Sequence, residues 1–195
     1  MGGLFDLESH LVFYRSYHFN HTNVTIHLIC IPIILLSAIA LLLPYQLGNV
    51  SPYLNLGVLL AIGYSTFYTL LDFKLGSITV PILVGASYFL SQTYIWAGTS
   101  GVEFTKDQFT KYALVAHISA WLAQFYGHGV HEKRAPALLD NLLQAIVLAP
   151  FFVVFEVAFA LGFRRTLKKN MDNRAGKIVR DLKFKEAEKR RAKQI

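Results

Sequence analysis

The chain has 195 residues, of which 54% are hydrophobic and 16% are charged, and its formal net charge is +7. Residues 164–195 carry 13 Lys or Arg against 4 Asp or Glu, a balance of +9, whereas residues 1–163 carry 6 against 8, a balance of −2. The long uncharged runs exclude a soluble globular domain, and a basic tail without interleaved aromatic residues excludes nucleic acid as a partner. We therefore predict an all-α integral membrane protein, a helical bundle whose partner is the lipid bilayer.

Five apolar runs approach the length of roughly 20 residues that a helix needs to cross the hydrocarbon core of a membrane. They are residues 24–43, 54–71, 78–97, 112–127 and 142–163. A turn at residues 72–77 joins the second run to the third as a hairpin. The fourth run is short and contains His117 and Gln124. We expect about five transmembrane helices, with a four-span or re-entrant arrangement as the alternative.

Five spans place the two ends of the chain on opposite sides of the membrane, and the positive-inside rule places the basic tail in the cytosol. The segment that ends at His27 and the segment that begins at His128 then lie at the same membrane face. We expect a membrane-embedded domain over residues 1–163 and a basic helical or disordered tail over residues 164–195. Residues 191–195 form a loose dibasic retrieval signal for the endoplasmic reticulum, or simply a basic end.

The seven histidines form two groups that lie at the ends of apolar runs. His10, His18, His21 and His27 precede or enter the first run, and His117, His128 and His131 flank the end of the fourth. Neutral imidazole is the commonest metal ligand in proteins, so two such groups at one membrane face predict a metal site. On a helix, His128 and Glu132 share a face. With His18 and His27 they form a candidate ligand set for iron, zinc or manganese.

The other histidines have simpler interpretations. We expect His10 and His21 to bond headgroups or backbone carbonyls, His131 to lie at the surface, and His117 to be a hydrogen-bond partner inside the bundle. Several enzyme classes are excluded, because the zinc-protease motif fails at Ala135 and the chain lacks dense histidine boxes, a phosphate-binding glycine loop and a nucleophile elbow.

Two motifs resemble those of a known family. Residues 14–27 have the sequence YRSYHFNHTNVTIH, followed by Pro32, and residues 121–141 have the sequence WLAQFYGHGVHEKRAPALLDN, continuing through Gln144 to LAPFF at residues 148–152. Over about residues 4–163, the chain resembles the 2-hydroxy-fatty-acid dioxygenase family of fungi.

This resemblance implies an Fe(II)-dependent enzyme in the membrane of the endoplasmic reticulum. Its substrates would be a long-chain 2-hydroxy fatty acid and O2, and its products a fatty acid one carbon shorter and CO2, as in phytosphingosine breakdown. One O2 accepts the four electrons that this α-oxidation releases, so no nicotinamide, flavin or 2-oxoglutarate is required. The resemblance also makes residues 1–163 the catalytic domain.

The resemblance implies His18, His27 and His128 as the iron ligands. Glu132 also matches the family motif, and we infer that it is either a fourth ligand or a base beside the ligands.

Two further hypotheses concern the residues after Glu132. Lys133 or Arg134 pairs with the substrate carboxylate, or alternatively contacts a lipid headgroup. Asp140, Asn141 and Gln144 orient the metal ligands through hydrogen bonds.

Two other functions compete with the dioxygenase hypothesis. One is a different lipid-metabolising metalloenzyme, such as a zinc hydrolase. The other is a non-catalytic transporter or organising protein of the endoplasmic reticulum membrane, although the middle runs contain few polar residues for a water-lined path.

Overall fold

A computed structural model describes residues 3–135 and 141–192, without the side chains of residues 143 and 186. Within these ranges the chain is helical and contains no strand, only an isolated bridge between Gln46 and Asn55. The helices are α1 (Leu7–Tyr17), α2 (His21–Leu42), α3 (Leu56–Leu71), α4 (Phe73–Trp96), α5 (Lys106–Tyr126), the π-helix π1 (Gly127–Glu132), the π-helix π2 (Leu143–Leu148), α6 (Ala149–Ala160) and α7 (Arg165–Ala192). The predicted all-α class is confirmed.

Five helices begin at a polar residue whose side chain accepts a hydrogen bond from a backbone N–H of the first turn. These residues are Asp6, Asn20, Asn55, Asp72 and Thr105. Such caps satisfy N–H groups that have no partner within the helix, so the local sequence determines where each helix starts.

The core is built around α6, whose aromatic side chains are fully buried. Phe151, Phe152 and Phe155 have almost no exposed surface. The ring of Tyr68 in α3 stacks on Phe151 with centroids 4.6 Å apart, and its hydroxyl donates a hydrogen bond of 2.6 Å to the carbonyl of Val147. These contacts attach α6 and π2 to α3.

In the described part of the chain, two helices, α2 and α4, are long and apolar enough to cross a membrane, and a third span results if the bent pair of residues 144–160 and α7 is counted as one. The predicted number of about five spans is therefore too high. Helix α3 has 16 residues, about 24 Å at 1.5 Å per residue, which is shorter than the roughly 30 Å hydrocarbon core.

The other departures from the predicted spans have local causes. Helix α5 begins with Lys106, Asp107 and Lys111, which shorten its apolar part. The last predicted span, residues 142–163, is divided into π2 and α6, and α6 ends at Ala160, two residues before Gly162 with its positive φ of 85°. The predicted hairpin is present, but Asp72 alone separates α3 from α4, so its turn is shorter than predicted.

Apolar side chains also cover much of the outer surface of α3, α4 and α5. Examples with about half or more of their surface exposed are Ile62, Leu70, Ile82, Phe89, Val115 and Leu122. Soluble monomers rarely expose apolar patches of this extent, so the surface is compatible with a membrane protein.

Helix α7 packs on α1 along its first half. Met171 and Ala175 are buried in the same core cluster as Leu11. Arg15 pairs with Asp172 at 2.9 Å. The tail is thus helical, and a boundary at residue 163 divides this packed pair.

Candidate metal centre

Three histidines from three different elements converge in the interior. His18 follows α1, His27 is in the second turn of α2, and His128 is in π1; all three are buried. One ring nitrogen of each lies within 4.8 Å of the others. The ring centroids are 4.4 Å apart for His18 and His27, 4.9 Å for His18 and His128, and 4.8 Å for His27 and His128.

Backbone carbonyls orient two of these rings. His18 Nδ1 lies 2.8 Å from the carbonyl oxygen of Tyr14, and His27 Nδ1 lies 2.9 Å from that of Asn23. A carbonyl oxygen only accepts, so each Nδ1 carries the hydrogen and each Nε2 keeps its lone pair. His18 Nε2 is buried without a hydrogen-bond partner among the residues that the structure describes. A lone pair of this kind is suited to a metal ion.

The local electrostatics favour the neutral imidazole that a metal requires. Burial lowers the pKa of His18 well below its ordinary value, and the nearby His27 and His128 add to this effect. Burial also lowers the pKa of His128, partly opposed by the carboxylate of Glu132. Three neutral imidazoles fit a divalent transition metal such as iron, zinc or copper.

Glu132, the fourth predicted ligand, does not join the three histidines within residues 3–135 and 141–192. Its carboxylate accepts hydrogen bonds from the backbone N–H groups of Phe19 (3.1 Å) and Asn20 (3.0 Å) and from the Asn23 side chain (3.2 Å). The segment is π-helical, so the α-helical argument that pairs His128 with Glu132 does not apply. The start of α2 binds this carboxylate instead.

Lys133 and Arg134 lie beyond the end of π1. Lys133 is exposed and has a φ of 56°. The Arg134 guanidinium lies 3.5 Å from the centre of the Tyr17 ring and donates a hydrogen bond of 3.0 Å to the carbonyl of Ser16. Neither side chain lines the cavity at the three histidines.

Of the other histidines, His117 forms hydrogen bonds and His131 forms a ring contact. His117 bonds Ser37 at 2.9 Å and accepts from Trp121 at 3.1 Å, which confirms the predicted hydrogen-bond role. The ring of His131 packs against Tyr126, and His21 is exposed at the start of α2.

His10 is buried rather than interfacial. It bonds the carbonyl of Leu4 at 2.9 Å, as predicted for a backbone partner, and also the side chain of Gln144 at 2.6 Å. Gln144 thus bonds His10 and none of the three converging histidines, while Asn141 accepts from the backbone N–H of Gln144. Asp140 lies outside the described residues.

Tyr14 was not among the predicted site residues, although its ring stacks on His18 with centroids 4.1 Å apart. The spacing of four residues between Tyr14 and His18, repeated between Asn23 and His27, was the available signal, because residues four apart are neighbours on a helix.

Three cavities are related by shared lining residues, and the first of them lies at the three histidines. The first, of about 40 Å³, is lined by the three histidines together with Tyr14, Gln144 and other residues. The second, of about 200 Å³, shares Trp121 and Gln124 with the first. The third, of about 500 Å³, shares Leu60 and Tyr64 with the second. The three cavities are neighbours in this order, are mostly apolar, and increase in volume with distance from the histidines.

The fold and the site define an all-helical protein with membrane-type helices and a buried three-histidine centre suited to a metal ion. Residues 4–161 match the family described as 2-hydroxy-palmitic acid dioxygenase Mpo1-like. The chain is 38% identical over 171 residues to 2-hydroxy-palmitic acid dioxygenase MPO1 of Saccharomyces cerevisiae, covering 88% of this chain and 90% of the relative. The chain therefore belongs to the Mpo1-like family, which confirms the resemblance. No solved structure matches it.

Proposed function

We propose that this protein is an iron-dependent dioxygenase that converts a long-chain 2-hydroxy fatty acid and O2 into a fatty acid one carbon shorter, CO2 and water. Membership of the Mpo1-like family supports the dioxygenase activity. One structural observation carries the proposal: three buried imidazoles converge at a small cavity whose neighbour is larger and mostly apolar.

The proposed reaction balances without a further co-substrate. The bond between C1 and C2 breaks, C1 leaves as CO2, and C2 becomes the new carboxyl carbon. The two carbons together lose four electrons, and one O2 accepts them. The number of oxygen atoms also balances. The two atoms of O2 and the three of the hydroxy acid are all found in the shortened acid, CO2 and one water.

The proposed iron ligands are His18, His27 and His128. Bound Fe(II) supplies activation of O2 and a Lewis acid for the hydroxy acid. The carbonyls of Tyr14 and Asn23 hold two of the rings in the required orientation. No other His, Cys, Asp or Glu joins this group in the described part of the chain, so an iron ion held by the three histidines would have further coordination positions for substrate and O2.

The apolar cavities provide the proposed place for the acyl chain. Ile31, Leu35 and Ala38 line the second cavity and keep water from it. The carboxyl end of the substrate then lies at the histidines, and the chain extends between α2, α3 and π2 toward the bilayer.

The residues after π1 have proposed supporting roles. Arg134 lines an outer cleft of about 690 Å³ together with Gln144, where it is placed to attract a carboxylate. Lys133 lines a neighbouring cleft of about 310 Å³ with Arg134 and adds to the positive charge. We assign to Glu132 the positioning of α2 against π1.

The proposed location is the membrane of the endoplasmic reticulum, with several passes. The apolar helices α2 and α4 support a location in a membrane. The loose dibasic signal near the end of the chain supports the compartment. Fluorescence microscopy of the tagged full-length chain against an endoplasmic reticulum marker tests this location.

The activity is tested with the purified full-length protein. It is loaded with Fe(II) without oxygen, given O2 and 2-hydroxypalmitate, and the products are measured by mass spectrometry. We expect pentadecanoic acid from the wild type and none from His18→Ala or His128→Ala.

His21→Ala is the matched control, because His21 is exposed and lies outside the three-histidine group. It should retain both activity and bound iron. Iron-loaded, folded protein that forms no shortened acid would overturn the proposal, and equal activity with zinc would favour a different metalloenzyme.

A further inference from the structure

We propose that Gln144 recognises the 2-hydroxyl group of the substrate and so discriminates 2-hydroxy acids from acids that lack the hydroxyl. This inference rests on the proposed function and adds a specificity residue to it. Gln144 is the second residue of π2, has only 5% of its surface exposed, and lines the cavity at the three histidines.

The hydrogen bonds of His10 determine which way the Gln144 amide faces. His10 Nε2 lies 2.9 Å from the carbonyl oxygen of Leu4, which can only accept, so Nε2 carries the hydrogen of the neutral ring. His10 Nδ1 is then an acceptor. Gln144 Nε2 lies 2.6 Å from it and donates the hydrogen bond. The amide is therefore held with its N–H group toward His10 and its oxygen turned away.

The oxygen of this amide is buried and has no hydrogen-bond partner among the described residues. A buried acceptor without a donor is unfavourable, so the chemistry of the site calls for a ligand group that carries O–H or N–H. His18 and His27 do not provide one, because their Nδ1 hydrogens are already donated to carbonyls. His128 Nδ1 also has no hydrogen-bond partner among the described residues, so it does not satisfy the amide oxygen either.

The polar end of a 2-hydroxy acid carries one group that only accepts hydrogen bonds and one group that can donate. Its carboxylate only accepts hydrogen bonds and is repelled by an amide oxygen, whereas its 2-hydroxyl donates. The cavity of about 40 Å³ exceeds the space for one water, about 10–15 Å³, but is much smaller than the cavities beyond it. It therefore suits the polar end of the substrate rather than the acyl chain.

A site built to bond a hydroxyl group rejects the analogue without it, because the buried partner stays unpaired. Gln144 thus gives the protein a means to release the shortened product. The product is a carboxylic acid that carries no 2-hydroxyl, so it forms one hydrogen bond fewer than the substrate in the same place.

The test compares the binding of two ligands without turnover. Affinities for 2-hydroxypalmitate and palmitate are measured on the Fe(II)-loaded full-length protein without oxygen, by displacement of a fluorescent fatty acid. We expect Gln144→Met, which keeps the volume and removes the acceptor, to lower the preference for 2-hydroxypalmitate by about 5- to 100-fold. Affinity for palmitate should stay equal or rise.

Two further variants test the orientation argument and the specificity of the effect. His10→Phe removes the acceptor that holds the amide, and the preference should fall in the same direction. Gln92→Met is the control, because Gln92 bonds Tyr53 and Tyr88 far along α4 and lines none of the cavities described above. It should leave the preference unchanged.

The outcomes separate this inference from the proposed function. Wild-type protein that forms no shortened acid would overturn the proposed function. Active wild type together with an unchanged preference in folded Gln144→Met would overturn the role of Gln144 alone. If Gln144→Met does not fold, Gln144→Asn gives the same test, since its shorter amide cannot reach both His10 and the hydroxyl; an unchanged preference there overturns the inference equally.

Discussion

The carboxylate of Glu132 accepts a hydrogen bond of 3.2 Å from the side chain of Asn23, 109 positions earlier in the chain. The backbone carbonyl of Asn23 in turn bonds Nδ1 of His27. This pair therefore attaches the end of π1, which contains His128, to the turn of α2 that contains His27.

Glu132→Gln should weaken this attachment without removing iron. The amide keeps one acceptor oxygen but turns a donor toward the N–H groups of Phe19 and Asn20. We expect a loss of about 1–3 kcal/mol in the free energy of unfolding and an iron affinity about 10- to 100-fold lower. Chemical unfolding in detergent and metal analysis measure both. Folded Glu132→Gln that binds no iron at saturating concentration would instead support Glu132 as a ligand.

Gly127→Ala should disturb the same contact by steric overlap. A Cβ at this position would collide with Oδ1 of Asn23, which is fully buried. We expect a loss of about 1–3 kcal/mol in stability, with weaker iron binding. Gly129→Ala in the same π-helix is the matched control, because nothing lies within 4 Å of its added Cβ. Equal effects of the two substitutions in thermal unfolding and iron titration would contradict this account.

Arg134→Lys should be destabilising although it preserves the charge. Lysine cannot reproduce both the planar stacking on Tyr17 and the hydrogen bond to the carbonyl of Ser16. We expect a loss of about 1–2 kcal/mol in unfolding free energy. Lys133→Ala, at an exposed neighbour, should change stability by less than about 0.5 kcal/mol. If Arg134→Lys raises KM for 2-hydroxypalmitate and leaves stability unchanged, pairing with the carboxylate is the better explanation.

Removal of α7 should unfold or strongly destabilise the protein. A chain that ends at residue 163 loses Met171, whose burial alone contributes about 1.5–3 kcal/mol, and also the Arg15–Asp172 ion pair. A chain that ends at residue 180 keeps both contacts and should retain iron and helicity. Circular dichroism and iron content compare the two. Equal stability of both chains would support the predicted boundary at residue 163.

The helical class was predictable from the sequence, and the three histidines that the family motifs indicated, His18, His27 and His128, lie together in the structure. Long uncharged runs admit few alternatives to helices in a membrane, and the histidines lie within specific motifs. The place of Glu132 was not predictable, because π-helices are rare and the argument that puts residues four apart on one face assumes an α-helix. The contact between His10 and Gln144 joins residues 134 positions apart, and no periodicity relates them.

The number of spans was overestimated for a related reason. Hydropathy identifies apolar segments but does not show where a cap or a glycine ends a helix. Asn55 and Asp72 limit α3 to 16 residues, and Gly162 ends α6 before the apolar run is complete.

The cavities widen from about 40 Å³ at the histidines to about 200 Å³ and then about 500 Å³. In the proposed binding mode only the first two carbons of a substrate lie in the narrow part, and the methyl end lies in the wide part. Fatty acids of different lengths would thus present the same bond for cleavage, and their extra methylene groups would occupy the outer space. We expect an enzyme that accepts substrates of several chain lengths. In each of them the bond that breaks is fixed by its distance from the carboxyl group and not from the methyl end.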